Sequence, residues 1–150
     1  LVREWARLMD YEPVLFDAAT PDGTPVYHTN VVLWIGARVA GAGLDWVPQA
    51  QRATLQSRLA AGGRRIMPLS GTQLLAFAGN MLELVNARGE THLAMSASAS
   101  ACLDEPQRAM LRDAGITPLV GAIPVIETLG GGSVRCMLAE VPSRQPGARP

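Results

Sequence analysis

Cys136 is the residue in this chain with the plainest chemical use. Three glycines, Gly130, Gly131 and Gly132, precede it by a few positions and remove side chains from the approach, and Cys136-Met137-Leu138-Ala139 reads as the start of a short apolar strand. Backbone without side chains comes close to a ligand, and a strand's first residue sits at a mouth rather than in a core. A thiolate there is a nucleophile, and the amides of Gly131, Gly132 and Ser133 are positioned to contact a bound group. The plainer alternative is a small buried hydrophobe, which is how a lone cysteine beside Met and Leu often serves. A second candidate is His28, in Tyr27-His28-Thr29-Asn30, whose imidazole can exchange a proton with a thiol or a leaving group.

These residues lie 108 positions apart, so the elements between them must bring them together. The pattern opens with a helix over Leu1–Met9, with Leu1, Trp5, Leu8 and Met9 on one face, followed by a buried strand over Pro13–Phe16 and a turn over Thr20–Gly23. Val31–Ile35 and Ala37–Leu44 form a hairpin-like pair. A helix over Pro48–Leu59 ends at Gly62-Gly63, and a strand covers Arg65–Leu69. Ser70 caps a short helix over Thr72–Phe77 that stops at Gly79. Asn80–Val85 and Thr91–Met95 are strands about the turn Asn86–Gly89, and Ser96–Ala101 is a flexible low-complexity link. Asp104 caps a helix over Glu105–Ala114, which Gly115 ends; Ile116–Ile126 is extended, and the tail 143–150 is left unfolded. Trp34 and Trp46 are core candidates.

The order strand, strand, helix, strand therefore occurs twice, and a third unit begins at Cys136. Asn30-Val31-Val32, Asn80-Met81-Leu82 and Cys136-Met137-Leu138 open the three units, at spacings of 50 and 56 residues. A period near 50 signals a repeat array or blades about an axis, and a hairpin with a crossover helix makes the blades α/β. Equivalent strand starts converge on the axis, which places Asn30, Asn80 and Cys136 at one mouth. His28, two residues before Asn30, falls on the same side of its strand by the period of two.

Composition narrows the function. The 150 residues carry thirteen basic and thirteen acidic side chains and a mean hydropathy of +0.14, an ordinary globular balance with no global field for nucleic acid or an anionic membrane. All the basic residues are arginine, which excludes a Schiff-base or P-loop lysine. No apolar run approaches a membrane span, so no membrane partner and a cytoplasmic location are expected. Two cysteines and two histidines without ligand spacing argue against a metal site, and no cofactor is expected. The chain starts without methionine inside a helix, which suggests a piece of a longer protein.

Three motifs together, Tyr27-His28-Thr29-Asn30-Val31, Ala78-Gly79-Asn80-Met81-Leu82-Glu83-Leu84 and Gly130 to Glu140, resemble the C-terminal half of the arginine deiminase-related proteins of the guanidino-modifying (pentein) superfamily. The resemblance is closest to the citrulline-utilization hydrolase branch, related to dimethylarginine dimethylaminohydrolase, and runs from Leu1 to about Pro142. It implies a partial five-bladed α/β propeller of ββαβ units over 1–142, about half of the whole, with a central site for a guanidino or ureido amino acid. The family's catalytic histidine falls on His28 and its nucleophilic cysteine on Cys136; Asn30, Asn80, Gly131, Gly132 and Ser133 would line the substrate. The expected reaction is hydrolysis of a carbon–nitrogen bond in citrulline or an arginine derivative. The family's substrate-gripping carboxylates lie largely in its first half, so the expected partner is that missing N-terminal half, with a homo-oligomer also open and the isolated piece expected to be inactive. Some relatives carry an acid where this chain has Asn30, and Asp45, Glu83 and Glu127 read as turn, hairpin and strand-end residues rather than substitutes. The rival readings are a non-catalytic binding or structural piece of a diverged propeller and a Cys-His amidase or protease of another fold. A phosphate loop at Gly130–Gly132 is disfavoured, because no Gly-Lys-Ser/Thr follows.

Overall fold

The computed structural model describes residues 1–139; the expected tail, with the end of the propeller segment at Pro142, lies outside the described residues. Two small sheets of identical topology make up its body. In the first, β1 (Leu33–Ile35) pairs antiparallel with β2 (Val39–Ala42), and β2 pairs parallel with β3 (Arg65–Pro68). In the second, β4 (Leu82–Val85) pairs antiparallel with β5 (Thr91–Ser96), and β5 pairs parallel with β6 (Ile116–Gly121). Each parallel pair needs a crossover, which α3 (Gln49–Ala60) supplies in the first unit and α5 (Ala97–Cys102) with α6 (Glu105–Asp113) in the second. The twofold ββαβ repeat is thus present in three dimensions.

The core runs continuously through both units. Trp34, Val39 and Met67 of the first and Met81, Leu93 and Met95 of the second are fully buried in one cluster, with Trp46 beside them. Three contacts fasten one unit to the other. Glu83 of β4 accepts the amide of Ala37 at 2.8 Å, beside Gly36, where a Cβ would lie 2.2 Å from the Glu83 carboxylate. Gly79 packs on the backbone of Val31 so closely that a Cβ would sit 2.1 Å from its carbonyl oxygen.

The third contact grows out of helix capping. Ser70 caps α4 (Gly71–Leu75) in a capping box with Gln73, and Asp104 caps α6 in a capping box with Gln107. The two glutamines, both buried, then bond each other at 2.7 and 3.1 Å and reach the carbonyls of Cys102 and Pro68. A local device for ending a helix has become the joint between the blades.

Several expected elements differ. The helix α1 (Val2–Leu8) forms, yet Leu1, Trp5, Leu8 and Met9 stand exposed and only Ala6 is buried. Pro13–Phe16 is not a strand, and Val14 and Leu15 are exposed: no described strand lies beside it, Pro13 lacks a donor, and Asp17 instead ties the segment to Gln51 of α3. Ser96–Ala101 is helical rather than a link, because the Ser96 hydroxyl accepts the Ala99 amide at 3.1 Å and the alanines that follow favour helix. The extended segment from Ile116 ends at Gly121, and Pro124 starts α7 (Pro124–Gly130), its fixed φ suiting a first helical turn. No described helix is long and apolar enough to cross a membrane.

Candidate functional site

The three positions expected to open strands are turns. Asn30 sits in the single helical turn α2 (Thr29–Val32), with His28 at its N-cap, so the period-of-two argument for His28 does not apply. Asn80 ends a tight turn in which its amide donates to the Phe77 carbonyl at 2.8 Å and Phe77 takes a φ of +64°. Cys136 lies in a 3-10 turn, Val134–Met137, rather than at a strand start. Turns at the ends of strands nonetheless converge, because the two sheets dock through the contacts above.

His28, Asn30, Asn80, Gly131, Gly132 and Cys136 line one cavity of about 510 Å³, within the size range of small-molecule sites. Depressions of about 550 and 650 Å³ beside α3 lack both the cysteine and His28, and offer less chemistry despite their volume. Cys136 is exposed to the cavity rather than buried, which removes the core-hydrophobe reading. Its sulfur accepts the Nδ2 of Asn80 at 3.1 Å and that of Asn30 at 3.5 Å. Its amide is shared between the Ser133 carbonyl at 3.1 Å and Asn80 Oδ1 at 3.3 Å, so this amide is committed and not free for a ligand. Gly132 packs tightly on the cysteine: a Cβ there would lie 3.2 Å from both Cβ and Sγ of Cys136, which would have to give by a few tenths of an ångström. No hydrogen bond joins His28 to Cys136; they face the same volume from different units.

Ser133 departs from its expected place. It is fully buried and absent from the cavity wall, its hydroxyl donating to Glu127 Oε1 at 2.7 Å while Ser98 donates to Oε2 at 2.8 Å. Burial pushes the Glu127 carboxyl up, but the hydroxyls of Ser96, Ser133 and Ser98 outweigh it and hold the carboxyl below the usual glutamate range. Glu127 therefore latches the glycine loop to α5. Sequence reasoning assigned it to a strand end; the available signal was Pro124, which as a helix starter turns Glu127 toward residues one turn and more ahead. The other cysteine, Cys102, is half-buried and burial pushes its thiol up, in keeping with an inert packing role.

An exposed sulfur that receives two amide donors, facing a histidine across a small cavity, is equipped to attack an electrophilic carbon and to have the leaving group protonated. Solved structures with this fold include those of ArgZ, an arginine dihydrolase from the ornithine–ammonia cycle in cyanobacteria. The apo structure matches with a TM-score of 0.67 at 12% identity, covering 89% of this chain and 19% of that one. The N-terminal domain of ArgZ bound to product matches at 0.63 and 17%, covering 90% and 44%, and the substrate-bound C264S mutant of that domain at 0.62 and 16%, covering 89% and 44%. This chain thus spans less than half the length of the structures it matches, and its architecture is that of a partial pentein propeller of ββαβ units. No curated protein matches it. The family model for N,N dimethylarginine dimethylhydrolase, eukaryotic, matches residues 1–143, nearly the whole chain, and the protein belongs to that family.

Proposed function

We propose that the protein hydrolyses a carbon–nitrogen bond of a guanidino or ureido amino acid through a covalent intermediate on Cys136. The observation that carries this reading is the gathering of His28, Asn30, Asn80, Gly131, Gly132 and Cys136 around one cavity, with the thiol exposed to it. The thiolate attacks the sp² carbon to give a tetrahedral centre. The carbon–nitrogen bond then breaks as His28 donates a proton to the departing amine, leaving a thiol-linked intermediate. His28, now neutral, takes a proton from water as it attacks that carbon, and the carbon–sulfur bond breaks to restore the thiolate. Because the acid must reach the leaving amine rather than the sulfur, a histidine across the cavity suits this sequence better than one bonded to the thiol. An arginine derivative yields a ureido product and an amine; citrulline, the substrate of the citrulline-utilization branch, yields ornithine, carbon dioxide and ammonia.

Residues 1–142 act in this reading as the C-terminal half of the propeller, and the rest of the protein supplies the carboxylates that grip the substrate's nitrogens. Family membership and the ArgZ fold support the substrate class. The test is turnover of citrulline, arginine and N,N-dimethylarginine by the full-length protein. Cys136→Ser is expected to lower kcat at least about a thousandfold and His28→Ala at least about a hundredfold, both with unchanged melting curves. Wild-type rates in Cys136→Ser would overturn the proposal. This chain assayed by itself is expected to be inactive.

A further inference from the structure

We infer that Asn80 fixes the direction of the Cys136 sulfur, rather than contacting substrate; this rests on the reading of Cys136 as the nucleophile. Asn80 is 4% exposed, and its amide is nearly spent on the cysteine turn. One Nδ2 hydrogen goes to Cys136 Sγ at 3.1 Å and the other to the Asn30 carbonyl at 3.3 Å, while Oδ1 accepts the Cys136 amide at 3.3 Å. The Asn80 carbonyl also takes the Arg135 amide at 3.4 Å. An asparagine side chain has two donor hydrogens and one acceptor oxygen, so none of its donors is left for a ligand.

The orientation of the amide follows from its neighbours. A flipped Asn80 would set its NH₂ against the Cys136 N–H and the Asn30 carbonyl against Oδ1, losing both bonds. The Cys136 backbone therefore dictates that the donor end faces the sulfur. Asn30 adds a second, longer donor at 3.5 Å. Two N–H donors from different turns hold the sulfur at the cavity wall. Gly79 completes the arrangement: without a Cβ it lets the turn rest on Val31 and brings the next residue into the cysteine turn.

Substitution of Asn80 separates the two roles. In Asn80→Asp the shape and the acceptor for the Cys136 amide are kept, but a negative oxygen replaces the donor beside the sulfur. In Asn80→Ala both are lost, and Asn30→Ala removes only the longer donor and disturbs no bond made by the Asn80 side chain to Cys136. The rate of alkylation of Cys136 by iodoacetamide is followed at one fixed pH in the full-length protein, by mass spectrometry of the peptide that contains it, alongside kcat and KM for the guanidino or ureido substrate. The rate is expected to fall about tenfold or more in Asn80→Asp, less in Asn80→Ala, and least in Asn30→Ala, with kcat lowered in the same order and KM unchanged. Unchanged alkylation rates in all three, or KM for the guanidino or ureido substrate raised with kcat kept in the Asn80 variants, would overturn the inference in favour of substrate contact. If Asn80→Asp and Asn80→Ala fail to fold, Asn80→Ser, whose shorter side chain does not reach the sulfur, is measured in their place, and an unchanged rate there has the same consequence. Slowed alkylation in the Asn80 variants of a protein that turns over no guanidino or ureido compound would uphold the role of Asn80 and overturn the hydrolase reading alone.

Discussion

The two ββαβ units share strand order, pairing sense and the positions of their turns, yet they lead into their first strands differently. The first unit reaches β1 through a single helical turn that leaves Asn30 half-buried, with one side-chain bond, to Cys136, at 3.5 Å. The second reaches β4 through a turn held by Phe77 at positive φ and Gly79 against Val31, which buries Asn80 and gives it contacts to both sides of the cavity. The sheets repeat because both must bury one apolar face against the same core. The lead-ins diverge because only one residue can occupy the space behind the cysteine. Repetition thus sets the frame, and the connecting turns set the chemistry.

The largest effect on this comparison is expected from Gly79→Ala. The added Cβ meets a backbone carbonyl, not the end of a flexible side chain, so the units must separate at the lead-in. A loss of about 3 kcal/mol is expected, at the upper end for overpacking, measured by urea denaturation and accompanied by slower reaction of Cys136. An equal substitution in the first unit that left stability unchanged would show that the strain is specific to the second lead-in.

Next comes Gln107→Ala, which opens the joint between the two capping boxes. Buried Gln73 keeps its bond to the Cys102 carbonyl but loses its partner, and the Pro68 carbonyl loses its donor. The expected cost is about 2 kcal/mol, seen as a lower denaturation midpoint. Independent melting of the two units would be the sharper outcome, since it would show that they are held together there rather than by the shared core.

The smallest effect concerns the latch at Glu127. Its carboxyl is held below the ordinary range by three serine hydroxyls, so the stability it contributes is fully present above the ordinary glutamate value of about 4.3 and is lost as pH falls through the lowered one. Glu127→Gln is expected to abolish this acid-side loss, by less than about 1 kcal/mol for a group in contact with solvent. Hydrogen exchange at Gly131 and Gly132, compared at pH 6 and below pH 4, would read it directly; identical acid profiles in both proteins would rule the latch out.

Much of this arrangement is legible in the letters. Apolar runs and helical spacing gave the strands of both units and the helices α3, α4 and α6, though not α5, and the 50-residue spacing gave the repeat, because burial of one face leaves its period in the sequence. Glycines and caps marked the boundaries at Gly62-Gly63, Ser70, Asp104 and Gly115, where backbone donors or φ demand those residue types. The N-terminal segment misled for the same reason: Leu1, Trp5, Val14 and Leu15 have the letters of a buried surface, but nothing among the described residues covers them.

By itself the sequence determined the ββαβ repeat, the absence of lysine chemistry and the set of polar residues able to meet at one mouth. Only the tertiary structure decided what those residues touch. Asn80 and Ser133 both read as substrate contacts from their neighbourhoods, yet one faces the cysteine and the other a glutamate under the loop. Local sequence fixes backbone period and capping, which depend on near neighbours. The direction of a polar side chain depends on which buried donor or acceptor stands opposite, and those partners come from elements 50 and 56 residues away for Asn80, brought close only when the two sheets dock.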